Sequence, residues 1–225
     1  MRERTTALSV ALGLAVAGLA CSSTETNVVN QYFTALRAND QGTLTSFAMV
    51  ALDQKVDDWK VVSVGPGTKT PARLPDLVKK AADLEAQQKA NEKEFRAWGN
   101  DLEVYPKLDQ MREVRSKGGK MKPQLQPIAD KFDAFQATDR ELKKTVSDAR
   151  AAVEREKRNV ALSVGQTDDI ETLTGEVLSK DVEVNLTIDG QVKPYVMTLR
   201  KYELTGGTGA RMVARWVVQS LVPKG

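Results

Sequence analysis

Two stretches of regular apolar spacing constrain this chain more than anything else in it. From Leu74 through Leu77, Ala81, Leu84, Gln88, Asn91, Phe95, Trp98 and Leu102 to Tyr105, the steps alternate three and four without a break. From Leu125 through Ile128, Phe132, Phe135, Asp139, Leu142, Val146, Ala149, Val153 and Glu156 to Val160, they do so again. Steps of three and four put every such residue on one stripe of a helix. The two runs are of similar length and flank Ser116-Lys117-Gly118-Gly119-Lys120, which favours a turn. The pattern predicts an antiparallel coiled-coil hairpin over residues 71–165, with arms reaching roughly 60 Å at ~1.5 Å per residue. Pro106 cannot continue a straight helix, because it lacks a backbone donor and crowds the preceding turn. A break is therefore expected between Gly99 and Pro106, and a regular second arm only from about Pro127. Phe95, Trp98, Tyr105, Phe132 and Phe135 should gather near the break, as core filling rather than as a docking patch. The polar seam positions Gln88, Asn91, Asp139 and Glu156 read as register devices or lapses into water.

On either side of the hairpin the texture changes. Val29, Tyr32, Phe33 and Leu36 have helical spacing, and Thr43 to Val50 reads as a second short helix. Trp59 to Val64 is β-branched and stops at Gly65-Pro66-Gly67, the mark of a strand. Near the end of the chain, Val182, Val184, Leu186 and Ile188 alternate with polar residues up to Asp189-Gly190, a strong two-residue hairpin signal. Pairing across that turn puts Tyr195, Met197 and Leu199 on the same face. Arg211 to Val222 is expected to close the sheet, and the glycine-rich Thr205–Gly209 to be a hairpin loop rather than a phosphate cradle.

The N-terminus carries a different signal. A basic start, an apolar run from Ala7 to Ala20, and small residues before Cys21 form a secretory pattern. The run is shorter than the ~20 residues a membrane span needs. With the chain's one cysteine at the cut, the segment resembles a bacterial lipoprotein signal. That resemblance implies removal of residues 1–20 and acylation of Cys21, attaching the chain to a membrane. Ser22, in place of Asp, implies by the same resemblance a periplasm-facing place in the cell envelope, at the outer rather than the inner membrane. An ordinary signal-peptidase cut after Gly18-Leu19-Ala20 and an uncleaved anchor are the alternatives. Residues 21–27 then form a polar tether.

Composition narrows the chemistry. The chain has no histidine, so Ser-His-Asp and Cys-His nucleophile systems are ruled out, as are histidine metal sites. Lys plus Arg is 33 against 30 for Asp plus Glu, with no basic block of the kind that grips nucleic acid. No cofactor, metal or nucleic-acid partner is expected, and no catalytic residue stands out.

Residues 29–36 (Val-Asn-Gln-Tyr-Phe-Thr-Ala-Leu), Trp59 to Val64 and Arg215-Trp216-Val217-Val218 together resemble the cystatin-like fold of nuclear transport factor 2-like domains. The resemblance implies an α+β body, residues 28–70 and 166–225. A curved antiparallel sheet would pack on an N-terminal helix, and the hairpin would be inserted after the first strand. It also implies a cavity that Tyr32, Trp59, Met197 and Trp216 would line, for a small molecule or lipid. Some relatives are enzymes, and the candidates here would be Asp53, Asp57 or Asp58 beside Trp59. The leading expectation is a non-enzymatic envelope lipoprotein whose hairpin meets a protein partner or a second copy; the alternative is a ligand-binding module.

Overall fold

The computed structural model describes residues 23–207 and 209–225. Cys21 and the whole signal segment lie outside the described residues. The first helix, α1 (Thr24–Arg37), is capped by Ser23, whose Oγ accepts from the Thr26 N–H at 3.3 Å. Most of the expected tether is therefore helix: of residues 21–27, the last four belong to α1. Asn39 turns the chain at a positive φ of 54°, and Asp40 caps α2 (Gln41–Phe47), whose Leu44 and Phe47 are buried.

Strand β1 (Asp58–Val64) runs where the sequence predicts one. Gly65-Pro66-Gly67 does not turn the chain away. The Gly65 N–H donates to Asp181 O at 2.8 Å, and a Cβ on Gly67 would meet Leu178 Cδ1 at 2.9 Å. The edge thus resumes as β2 (Thr68–Pro71), so the hairpin follows two collinear strands rather than one. After the hairpin come β3 (Thr174–Ile188), β4 (Gln191–Thr205) and β5 (Val217–Pro223). The sheet is antiparallel in the order β1-β3-β4-β5, with β2 beside β1 on β3. The β3–β4 turn has both Asp189 and Gly190 at positive φ, 52° and 72°, matching the strands' twist.

Beyond the β3–β4 turn the chain departs from expectation. The closing strand starts at Val217 rather than Arg211, because the preceding backbone is committed elsewhere. The Met212 N–H donates to Leu204 O, and the Arg215 N–H to Ser163 O at 2.9 Å. Trp216, Val217 and Val218 are buried in succession, and a bulge between Thr198 and Leu199 disturbs the alternation expected along this strand.

The hairpin consists of α3 (Leu74–Gly99), α4 (Tyr105–Ser116) and α5 (Gln126–Val164). The arm breaks where Pro106 predicts. However, α4 does not extend the arm: Leu108 sits against Gly99, and Arg115 reaches Asp133 in α5. Leu102 and Tyr105, expected on the seam, are 92% and 55% exposed as a result.

Three apolar cores result. The first gathers α1, α2 and the Val182–Ile188 half of β3 around Tyr32, Phe33, Met197 and Trp216. The second joins Leu74, Ala81, Val153 and Val160 of the hairpin base to Leu173, Val177, Tyr202 and Leu204. Side chains alternate faces along a strand, and Val177 and Val182 differ by an odd number in unbroken register. The two cores therefore lie on opposite faces of one long β3–β4 ribbon. The third core, Leu108, Met111 and Ala129 with Trp98 and Phe132, belongs to the distal end of the hairpin alone.

Candidate functional site

The residues expected to line a cavity fill the first core instead. Tyr32 and Met197 have no exposure, Trp216 is buried, and Trp59 lies half-buried, stacked on Phe33 at 5.4 Å under the Arg37 guanidinium. Trp216 alone reaches an open groove. Asp53, Asp57 and Asp58 are exposed on the loop into β1 and at its first residue. Among the described residues, no group of three or more His, Cys, Asp or Glu is placed to hold a metal ion. No helix there is long and apolar enough to cross a membrane.

Two regions stand out among the described residues. The first is the distal end of the hairpin. Phe95 packs on Phe132 and Phe135 at 5.9 and 5.4 Å, and Trp98 on Phe135 at 5.5 Å. Lys131 Nζ lies 5.4 Å from the Trp98 ring, and Arg115 lies 5.8 Å from the Phe132 ring. Arg115 also forks onto Asp133 at 2.7 and 2.6 Å. That hydrogen bond holds the Asp133 carboxyl below its usual range. Trp98 and Phe132 pack against Leu108, Met111 and Ala129, and all four rings are half-buried rather than sealed. Tyr105, grouped with them by sequence, stands out of the cluster, as Leu102 does.

The second region is the junction of the hairpin base with the body. A groove of 750 Å³ lies along the C-terminal turns of α5, bounded by Lys157, Arg158, Ile170 and Arg215. An adjoining groove of 470 Å³ shares Ser46 and Arg215 with it and is floored by Val28, Leu178 and Trp216. Arg215 joins three elements: its Nε donates to Leu162 O at 2.7 Å and its Nη2 to Ser46 O at 2.8 Å. It thereby caps a helix end whose carbonyls lack intrahelical partners. Ser163 Oγ donates to Arg215 O at 2.7 Å and accepts from the Tyr202 N–H at 3.0 Å.

Two buried carboxylates fix this junction, and neither was legible as such in the sequence. Glu156, 2% exposed, accepts from the Tyr202 hydroxyl at 3.0 Å and from Asn159 Nδ2 at 3.3 Å, with Arg73 at 3.7 Å. Burial and then the neighbouring Glu156 charge push the Tyr202 hydroxyl far above its ordinary value, so it stays a donor. The polar interruption of the second heptad run marked Glu156, but not its partner 46 residues away. Glu25, placed in the tether by sequence, bonds Lys180 at 2.6 Å. Burial works to raise its carboxyl, yet the Lys180 bond and a backbone bond outweigh it and hold the group below the usual range. Lys180 in turn lies 5.7 Å from the Trp216 ring.

No protein-family model, curated relative or solved structure matches the chain. The fold class is α+β: a five-stranded antiparallel sheet with helices, one of them 39 residues long.

Proposed function

We propose that this chain is a non-enzymatic lipoprotein of the bacterial cell envelope, held to a membrane through Cys21, whose hairpin carries an interaction surface away from the bilayer. One observation carries the reading. The distal end of the hairpin has a core of its own, and above it stand half-buried aromatic rings and the exposed Leu102 and Tyr105. A helical arm serving only as part of the body has no need of a separately built end, and exposed apolar residues beside aromatics are the usual material of a binding hot spot. The body is read as a cystatin-like domain interrupted by the hairpin. Support comes from α1 packed with the sheet through Val29, Tyr32 and Phe33 in the first core.

Photo-crosslinking from Leu102 and Tyr105 in intact cells tests this function. The expected result is a discrete adduct, either with a second copy or with one other protein, absent when the reactive group replaces Lys60 on β1. No adduct from either distal position, with the chain present in the envelope, removes the hairpin as the interacting part.

A further inference from the structure

We infer that one face of the body rests on the membrane: the face formed by the start of α1, the segment Arg211–Trp216 and the C-terminal turns of α5. The inference builds on the lipid anchor proposed above and fixes how the body sits on it.

Chain length gives the first argument. Ser23 is the N-cap of α1, and only Ser22 separates it from Cys21. Two residues span at most ~7 Å. An acyl group on Cys21 therefore brings the first turn of α1 to the headgroups, with no slack for the body to stand off or turn round. Thr24 and Glu25 of that turn line the groove floored by Trp216 and bordered by Ala214 and Arg215.

Charge and apolar exposure supply a second argument, independent of the first. Val213 is 93% exposed, in the segment that borders this groove. Arg211 two residues before it, and Arg158 on α5 in the adjoining groove, enter no ion pair among the described residues. Three carboxylates by these grooves are already engaged, Glu25 by Lys180, Glu154 by Lys157 and Glu203 by Lys69, while the exposed Asp168 and Asp169, between groove residues Thr167 and Ile170, enter no ion pair among the described residues. An exposed aliphatic side chain on a face that also carries unpaired arginines suits an anionic lipid surface. The last turns of α5 lie on this face, so the start of α5 is held roughly 55 Å along its axis from the bilayer side.

The test uses the full chain in vesicles of phosphatidylethanolamine and phosphatidylglycerol, with Val213→Cys or Leu102→Cys carrying an environment-sensitive probe. Thiols counted under denaturing conditions before the probe is attached report on the anchor first, because an acylated Cys21 leaves one free thiol per chain. With one thiol counted, lipid-borne quenchers are expected to quench the probe at 213 at least threefold more than the probe at 102. Equal quenching with one thiol overturns the face while leaving the anchor standing. Two free thiols overturn the anchor, and the face with it. Combining Arg158→Gln with Arg211→Gln is expected to lower quenching at 213 at least twofold; no change overturns the contact with anionic headgroups.

Discussion

The two ends of the hairpin obey different rules although one helix serves both. At the base, α3 and α5 supply Leu74, Ala81, Val153 and Val160 to a core whose other half is sheet. At the far end, α4 and the first turns of α5 pack on one another, around Leu108, Met111 and Ala129. The ion pair between Glu85 and Arg150, at 2.7 Å, lies between them. The hairpin is thus part of the body for its first and last few turns and a separate unit beyond. Sequence periodicity is blind to that boundary, because the seam spacing is the same on both sides of it.

The sharpest way to break the comparison is to move the cut. Replacing residues 86–149 by a short turn should leave a body that folds and unfolds in one transition. Replacing residues 74–165 should leave none, because Leu173, Val177, Tyr202 and Leu204 lose their cover. Each large apolar side chain is worth ~1.5–3 kcal/mol when buried, so the loss approaches the ~5–15 kcal/mol that holds a domain together. Urea unfolding followed by tryptophan fluorescence and circular dichroism separates the two outcomes.

Next in size is Tyr202→Ala, expected to cost about 3–5 kcal/mol in the same measurement, as for other large ring deletions. It also strips buried Glu156 of a donor. Met111→Ala should cost about 2–5 kcal/mol, but only in the distal unit. Hydrogen exchange is expected to speed up in α4 and leave β3 and β4 protected; loss of protection in the sheet would show that the ends are not independent.

The smallest expected effect is that of Glu25→Gln, about 2 kcal/mol at neutral pH. The folded carboxyl titrates below its ordinary value of 4.5. Its contribution is therefore complete above that pH and is lost as pH falls through the lowered value. The variant should have a flatter acid limb of stability below pH 4.5, and an unchanged limb would remove the Lys180 bond from the account.

What the sequence disclosed follows from the range of the interactions involved. The seam of α3 and α5, the break before Pro106 and the Asp189-Gly190 turn depend on neighbours within a few residues, and all are readable. The second half of β3 is readable too, because Val182 to Ile188 alternate on one buried face. Its first half is not: Val177 is buried on the opposite face, and no local pattern announces that a strand has changed which side is covered. That Tyr32, Trp59, Met197 and Trp216 pack together in the first core, rather than around open space, was illegible for a similar reason. Large side chains on the helix and sheet state which residues meet but not how much space is left between them. Val213 and Arg211, placed by sequence in a strand, are left on an exposed segment because Arg215 is drawn away to Ser163, Leu162 and Ser46.

Helix α5 runs from the distal unit to Ser163 beside β4 without a proline after Pro127, or any glycine, to soften it. Such an element behaves as a lever with its fulcrum at the Glu156–Tyr202 contact. A load applied at its outer tip would be passed to its base, where Arg215 fastens α2, α5 and the run into β5 together.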